Sequence, residues 1–471
     1  MRPLGPKCAC ATFALAAALA ACAALPGCAL SRSRRTDQPA AHKPDAQARN
    51  NEATPRADAP IALTSHLAQA QPEPVAPPAA PQPLDREGTT LSELERLAEE
   101  RHPKLLAAAQ EVEAAHGRTW QAGRMPNPSL GASSPQLAGS ESQYNVFVSQ
   151  EIPTGGKLRL NAAAAGEEID QAELTLSRAR YDVLTGVRRH FYAALIGQAR
   201  MQILEEQVAM MSRSVHLVRM RFEEEEKISK TDVMLVEIDL QKAELALAGA
   251  RTNLEAQLKQ LAAALGTPDY PLAKLAGNLD AELSLGDLTS LSQRVINSHP
   301  QAAIAAIEIR RRDLLVERAY VEPKPTFNLQ GGYQRQVGPP QDQGILQLTM
   351  SVPLWDRNYG GIQAAEAQAM KAQADLQRIE TELASQAAAA YGRYAAAQLL
   401  AAKYYGEILP KTREALALAR RLYEAGETDF QSLLHTQEAH TEAELKHLDA
   451  QAARWEAAID IADLLQLEQF P

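Results

Sequence analysis

The sequence predicts a mainly α protein with a small β part, internally duplicated, whose four strands could close a barrel only together with strands from other chains. Three observations carry that expectation. The chain says nearly the same thing twice: His102-Pro103 recurs as His299-Pro300, Pro126/Pro128 as Pro323/Pro325, and Ile152-Pro153 with Gly155-Gly156 as Val352-Pro353 with Gly360-Gly361. Phe222 finds its counterpart in Tyr423, so the offsets run 197, 197, 200 and 201, a period that marks a duplicated half rather than a short solenoid repeat. The other two observations are a pair of very long helical stretches and two pairs of short alternating segments.

The first 21 residues read as an export signal: Arg2 and Lys7 precede an apolar run, Ala9 to Ala21, too short for a final membrane anchor. The run ends in Leu19-Ala20-Ala21-Cys22, which resembles the bacterial lipoprotein box and implies acylation at Cys22. Leu25-Pro26-Gly27-Cys28 is the alternative. The four cysteines all lie at positions 8, 10, 22 and 28, so no disulfide framework is available to the rest of the chain. Residues 22–90 are expected to form a lipid anchor and a tether, whose stretch from about Ala29 to Leu84 is too poor in large apolar residues to offset its ordering entropy. The first repeat is placed at 91–270, a connector at 271–292 and the second repeat at 293–467.

Within each repeat the expected order is helix, Pro-rich turn, two short strands, a very long helix, a turn and a returning helix. Strands are clearest in the second copy. In Thr326–Arg335, Phe327, Leu329 and Tyr333 alternate with Asn328, Gln330 and Gln334; in Ile345–Val352, Leu346, Leu348 and Met350 alternate with Gln347 and Thr349. Period 2 with one apolar and one polar side suits strands of a water-filled transmembrane barrel, with Asn328, Gln330, Gln347 and Thr349 facing the lumen. It equally suits a soluble hairpin with one wet face. The first copy, Ser129–Ser134 and Tyr144–Ile152, alternates more weakly. Four strands cannot close a barrel and open edges are not tolerated in lipid, so a spanning sheet requires several chains.

The stretches Lys157–Phe222 and Gly361–Tyr423 are read as unbroken helices of about 65 residues, each reaching roughly 100 Å. The helix returning from the first carries a seam, Val233, Val236, Leu240, Ala243, Leu247, Ala250, Leu254, Gln257, Leu261, Ala264. A second stripe, Leu235, Ile238, Leu245, Leu258 and Leu265, calls for a neighbour on another side. Leu445, Leu448, Ala452, Trp455, Ile459 and Ala462 repeat the seam in the second copy.

With these residues in view, the chain resembles the TolC-type outer-membrane efflux ducts, and within them the CzcC-like heavy-metal branch. Gln150-Glu151-Ile152-Pro153-Thr154-Gly155-Gly156-Lys157 and Ser351 through Gly360 are similar to that branch's strand-to-helix junctions. Tyr423-Glu424-Ala425-Gly426, ending in Leu433-Leu434, resembles the family's periplasmic helix–turn–helix tip. The resemblance spans about Leu91 to Leu465. It implies a homotrimer with a twelve-stranded barrel in outer-membrane lipid and a twelve-helix periplasmic tunnel. It also implies that a periplasmic adaptor and an inner-membrane proton-driven pump dock at tips carrying Phe222, Glu225, Tyr423, Gly426 and Leu434, and that the cargo is a heavy-metal cation such as cobalt, zinc or cadmium. Glu225 stands where the family has a glycine, which departs from a tight turn at the first tip.

Other classes fare less well. A net charge of −10 and the lack of a basic, aromatic-rich stripe argue against a nucleic-acid partner. No phosphate loop, zinc-spaced cysteine pair or nucleophile elbow points to an enzyme or a cofactor. His435, His440 and His447, beside Glu438, Glu442 and Glu444, are either a weak metal relay or residues on a solvated helix face, and their spacing fits no compact metal site. A duct for drugs and other organic toxicants, and a soluble coiled-coil envelope scaffold, remain as alternatives.

Overall fold

The computed structural model describes residues 88–136, 139, 141–225, 229–281, 288–338 and 341–470. The chain divides into two units between Pro77 and Pro78, and the described residues all belong to the second. The leader, the proposed acylation sites Cys22 and Cys28, and most of the tether lie outside the described residues. The expected tether boundary at residue 90 is too late: β1 (Thr89–Thr90) already pairs in parallel with β4 (Leu275–Ala276).

The first repeat runs α1 (Leu91–Arg101), α2 (Pro103–Ala122), β2 (Ser129–Gln136), β3 (Gln143–Ile152), α3 (Lys157–Glu225) and α4 (Lys230–Ala264). The second runs α5 (Leu288–Ser298), α6 (Pro300–Val321), β5 (Phe327–Gln336), β6 (Gln341–Met350), α7 (Tyr359–Lys403), α8 (Leu409–Glu424) and α9 (Phe430–Leu465). The duplication is therefore structural, with the single helix α3 answered by α7 and α8. No helix among the described residues is long and apolar enough to cross a membrane.

His-Pro starts the corresponding helices α2 and α6 by the same device. Proline occupies the first helical position, where its missing N–H costs nothing. The preceding histidine caps the helix: His102 Nδ1 accepts from the Lys104 amide at 3.1 Å and His299 Nδ1 from the Gln301 amide at 3.2 Å. An imidazole can accept at Nδ1 only while that nitrogen is unprotonated.

Sheet and helices share one order. The strands ladder antiparallel as β2-β3-β5-β6. Beside them α2 packs on α3, α3 on α6 and α6 on α7. Further down the long helices, α4 packs on α3, α3 on α9 and α9 on α8. The described part of the chain is thus a slab four elements wide. Its two outer strands, β2 and β6, each have a single partner.

The largest apolar core sits midway along the helices. Leu94 and Ala98 of α1, Val187 and Phe191 of α3, Leu261 of α4, Leu291 and Val295 of α5, Leu383 and Ala387 of α7, and Trp455 and Ile459 of α9 meet there. Tyr192 stacks on Trp455 with centroids 4.0 Å apart, and Phe470 meets both rings edge-on. Arg188, 1% exposed, clasps this region: it donates to Glu95 at 2.6 Å and to the carbonyls of Leu467 and Glu468 at 2.9 and 3.0 Å. Removing one partner of such a buried pair typically costs about 3–5 kcal/mol. Away from this belt the clusters are small, such as Val215, Val218 and Val236.

Four expectations need correction. The second long helix is not unbroken: Pro410 lies within it, and the chain passes through a π turn at Tyr404–Ile408 before α8 begins. Proline has no N–H to donate and its ring crowds the carbonyl four residues back, so the hydrogen-bond ladder widens there. The first long helix ends at Glu225, three residues beyond Phe222. Gly360-Gly361 is not the equivalent of Gly155-Gly156. The latter pair turns the chain with φ of 73° and 76°, whereas Gly360 and Gly361 are already helical and Asn358 makes the turn at φ 59°. The Asn358 side chain secures that turn by donating to the Ala319 carbonyl at 2.9 Å. Finally, β6 begins at Gln341, four residues before the expected Ile345.

Burial and the nearby Arg178 lower the His299 pKa from 6.5 to about 4. The unfolded chain therefore binds more protons than the folded one between those values, and the stability this residue contributes is present above pH 6.5 and lost as pH falls towards 4. His299→Asn keeps a capping acceptor without a titrating group. Denaturant midpoints measured from pH 7 to pH 4 should fall less steeply for His299→Asn than for the parent chain.

Candidate conduit and tips

The strand register assembles two chemically opposite faces. On one lie Leu130, Val146, Val148, Leu329, Tyr333, Leu346, Leu348 and Met350, each at least 41% exposed, with Leu346 at 80%. On the other, Ser129, Ser149, Gln330 and Gln347 form one cross-strand row, and Glu151, Asn328 and Thr349 the next. The four residues expected to face a lumen, Asn328, Gln330, Gln347 and Thr349, thus share the polar face. The first repeat completes it with Ser129, Ser149 and Glu151, which sequence reading passed over. Their signal is pairing rather than alternation, because it emerges once β3 is set in register against β5.

Two features of the polar face stand out physically. Glu151 is the one ionisable side chain on it among the described residues, and it is exposed. Phe147 is the one aromatic there, and it lies between two glycines, Gly131 on β2 and Gly332 on β5. A Cβ at Gly131 would come within 2.5 Å of the Phe147 ring, and one at Gly332 within 2.6 Å of the Val146 carbonyl oxygen. The missing side chains let the ring lie across the sheet and pin its register.

At the far end of the long helices are the two tips. In the second, α8 turns into α9 through Gly426 at φ 79°, and Asp429 caps α9 by accepting from the Ser432 amide at 3.1 Å. Tyr423 is not a surface residue: it is 3% exposed, its ring under the Arg221 guanidinium at 4.4 Å and edge-on to Phe430 at 5.6 Å. Arg221 also donates to the Tyr423 carbonyl at 3.1 Å, so the end of α3 is tied to the α8–α9 turn. Tyr423 therefore supports the tip from inside, with Gly426 exposed and Leu434 half-buried. A cavity of about 330 Å³ elsewhere, lined by Asp280, Tyr405, His447 and Arg454, lies near the π turn and far from this tip.

In the first tip α3 stays helical through Glu225, and no tight turn occurs at that residue. Residues 226–228 lie outside the described residues, as does the Glu225 side chain. Ser229 and Asp232 then form a reciprocal capping box that starts α4. Phe222, one turn before the helix end, is 39% exposed.

Of the α9 histidines, His440 and His447 share a face, seven residues apart, and His435 stands off it. His435 is exposed, while His440 is 7% exposed, its Nδ1 3.1 Å from the Thr412 hydroxyl and its Nε2 3.4 Å from Glu444. The solvated-face reading thus fails for His440, which sits in the α8–α9 contact. Among the described residues no group of three or more His, Cys, Asp or Glu is placed to hold a metal ion.

One family model, described as outer membrane efflux protein, matches residues 94–267 and 291–465, once per repeat. The cobalt-zinc-cadmium resistance protein CzcC of Cupriavidus metallidurans is 28% identical over 365 residues, 77% of this chain and 86% of its own length. The nickel-cobalt-cadmium resistance protein NccC of Alcaligenes xylosoxydans xylosoxydans is 24% identical over 279 residues, 58% of this chain and 61% of its own. Among solved structures, CusC superposes with a TM-score of 0.69 at 16% identity, covering 82% of this chain and 96% of its own. The outer-membrane channel OprN does so with 0.69 at 18% identity, covering 80% and 89%.

The open space around Gly426 means that a side chain there meets strain only through its positive φ. Gly426→Val should destabilise the α8–α9 turn by about 1–2 kcal/mol, and Gly426→Asn by distinctly less. Limited trypsin cleavage at Arg420 and Arg421 should accelerate in the valine variant and stay near the parent rate in the asparagine variant.

Proposed function

The chain belongs to the outer membrane efflux protein family, and from that membership we propose that three copies form the exit duct of a tripartite pump expelling divalent heavy-metal cations. The observation that carries the duct is the coincidence of strand order and helix order in a slab with two unpaired edge strands. Three such slabs joined edge to edge give twelve strands with every backbone group paired. The polar face then lines the lumen and the apolar face meets lipid.

The apolar face also separates this reading from a soluble scaffold. Leu346, Leu348, Val148 and Leu130 stand 80%, 64%, 50% and 76% exposed on one continuous surface, a patch that calls for lipid or a partner. On α4, Leu235, Ile238 and Leu245 of the second stripe stay 46%, 45% and 75% exposed, whereas Leu265 at its upper end is fully buried in the equatorial core. The uncovered lower part faces the neighbouring copy in the proposed ring.

The choice of cargo rests on the metals named in CzcC and NccC. Apart from Glu151 and Phe147, the lumen is lined mainly by serine, glutamine, asparagine and threonine, which offer little chemistry with which to discriminate, so selection falls to the pump. An adaptor docks at the tips around Phe222, Glu225, Gly426 and Leu434, with Tyr423 holding the second tip in shape. Acylation at Cys22, or at Cys28, anchors the chain to the outer membrane. Palmitate incorporation should vanish in Cys22→Ala, and its persistence would move the site to Cys28.

Growth of a deletion strain on graded zinc, cobalt and cadmium, beside dyes and antibiotics, tests the cargo. Metal tolerance should fall and return with the plasmid-borne gene. Loss of tolerance to organic compounds with metal tolerance intact would reject the metal assignment and leave the duct standing.

A further inference from the structure

The duplication fixes more than the order of elements. Helices α2 and α6 match at an offset of 197, set by their His-Pro starts. Helices α3 and α7 match at 200, where the buried Ala172, Val183, Val187 and Ala194 correspond to the buried Ala372, Leu383, Ala387 and Tyr394. The offset reaches 201, at Phe222 and Tyr423, beyond the π turn at Tyr404–Ile408, whose hydrogen bonds close over one extra residue. Above that turn each residue of the first repeat has a defined counterpart in the second.

In the order α2-α3-α6-α7, the α3–α6 seam joins one repeat to the other. Closing a ring of copies makes the equivalent seam between chains, α7 of one copy against α2 of the next. The seam within the chain is polar and charged. Gln171 donates to Glu308 at 2.9 Å, Arg311 to Glu168 at 2.6 Å, and Arg318 to Asn161 at 2.9 Å. On α7 the counterparts of Asn161, Glu168 and Gln171 are Gly361, Gln368 and Lys371. On α2 those of Glu308, Arg311 and Arg318 are Glu111, Ala114 and Gln121. The residues of the inner seam are half-buried, whereas all six counterparts are exposed, on the two outer edges of the slab.

The chemistry of those two edges has changed in step. Within the chain Glu167 and Glu168 meet Arg310 and Arg311. Their counterparts are Ala367 and Gln368 on α7, and Glu113 and Ala114 on α2, so the acids and the arginines have gone together. At the remaining contact Glu308 is kept as Glu111, and its partner Gln171 has become Lys371. Lys371 also borders a groove against α6 with Glu308 and Asp375. Both of those carboxylates are already engaged. Glu308 accepts from Gln171 at 2.9 Å and Arg312 at 2.6 Å, and Asp375 lies 3.5 Å from Arg378.

We propose that Lys371 of one copy pairs with Glu111 of the next, in the register that Gln171 and Glu308 set within the chain, and that this pair keys the seam between copies. The inference rests on the three-copy reading above. A second copy is the occupant of both edges because they complement each other in charge and repeat a seam the chain already makes with itself. With its acids gone and a lysine in place, the α7 edge does not suit the arginines of α6. The seam between copies and the seam within a chain are therefore not interchangeable, which guards the order of helices around the ring.

The test is a charge exchange read by particle mass, with the full chain in detergent diluted until trimers separate. Three seams close each ring, so Lys371→Glu should raise the trimer dissociation constant about tenfold, and Glu111→Lys likewise. The double variant Lys371→Glu/Glu111→Lys should return to within about threefold of the parent. Arg118, which pairs with Glu111 at 2.8 Å, keeps Glu168 at 3.4 Å when Glu111 is replaced. In one chain the two positions lie on opposite edges of the slab, so the rescue can arise only between copies. Single variants that match the parent, or a double variant whose loss multiplies those of the singles, would overturn the pairing. Rescue of Lys371→Glu by Glu308→Lys instead would seat Lys371 against its own chain and overturn it too. A parent chain that forms no trimer in this measurement would take the three-copy reading down as well, whereas a trimeric parent without rescue rejects the register alone.

Discussion

Two strands with one partner each govern the rest of this molecule. Apart from Pro135, which has no N–H, the peptide groups of the edge strands β2 and β6 carry both a donor and an acceptor, and in hydrocarbon each unpaired group costs several kcal/mol. A chain with four strands cannot remove those edges by itself. The helices inherit the same geometry, because each strand continues into or out of a helix and the helices keep the strand order. An edge in the sheet is therefore also an edge in the helical slab, and closing one closes the other. The exposed stripe on α4 and the exposed apolar face of the sheet are two consequences of a single open shape.

Within the chain, apolar burial is concentrated at mid-height. Arg188, Glu95, the Tyr192–Trp455 stack and the returning C-terminal residues bind α1, α3 and α9 to one another there. Towards the tips the packing thins to small clusters, and Arg221 over Tyr423 takes over the task of joining the two halves. Local opening costs least where few apolar contacts must be broken. The distribution places the firm part of the wall at the equator and the least buried part at the end where partners are proposed to dock.

Much of this was legible from residues alone. Duplication showed in His-Pro, the paired prolines and the strand-to-helix junctions, and the polar face of the second sheet half showed in strict alternation from Phe327 to Gln334. What escaped did so for identifiable reasons. Ser129, Ser149 and Glu151 sit in strands whose alternation is diluted by small residues, so only pairing against β5 reveals them. Pro410 was passed over in a stretch read as holding no internal proline; the backbone answers it with a π turn. Gly360-Gly361 imitates Gly155-Gly156 in sequence, but Asn358 had already supplied the left-handed residue the turn needs. Tyr423 carries the composition of a docking residue, yet Arg221, two hundred residues earlier, covers it.

The account stands or falls on β6 of one copy meeting β2 of another. All four native cysteines precede residue 29, and once Cys28→Ser removes the thiol that acylation at Cys22 leaves free, single cysteines placed along 129–133 and 345–349 can be scanned in pairs within one chain. Oxidation in native outer membranes should link copies through a restricted set of these pairs, giving dimers and trimers and no larger species. Failure of every pair to link copies, or a ladder extending beyond three chains, would contradict the closed three-chain barrel.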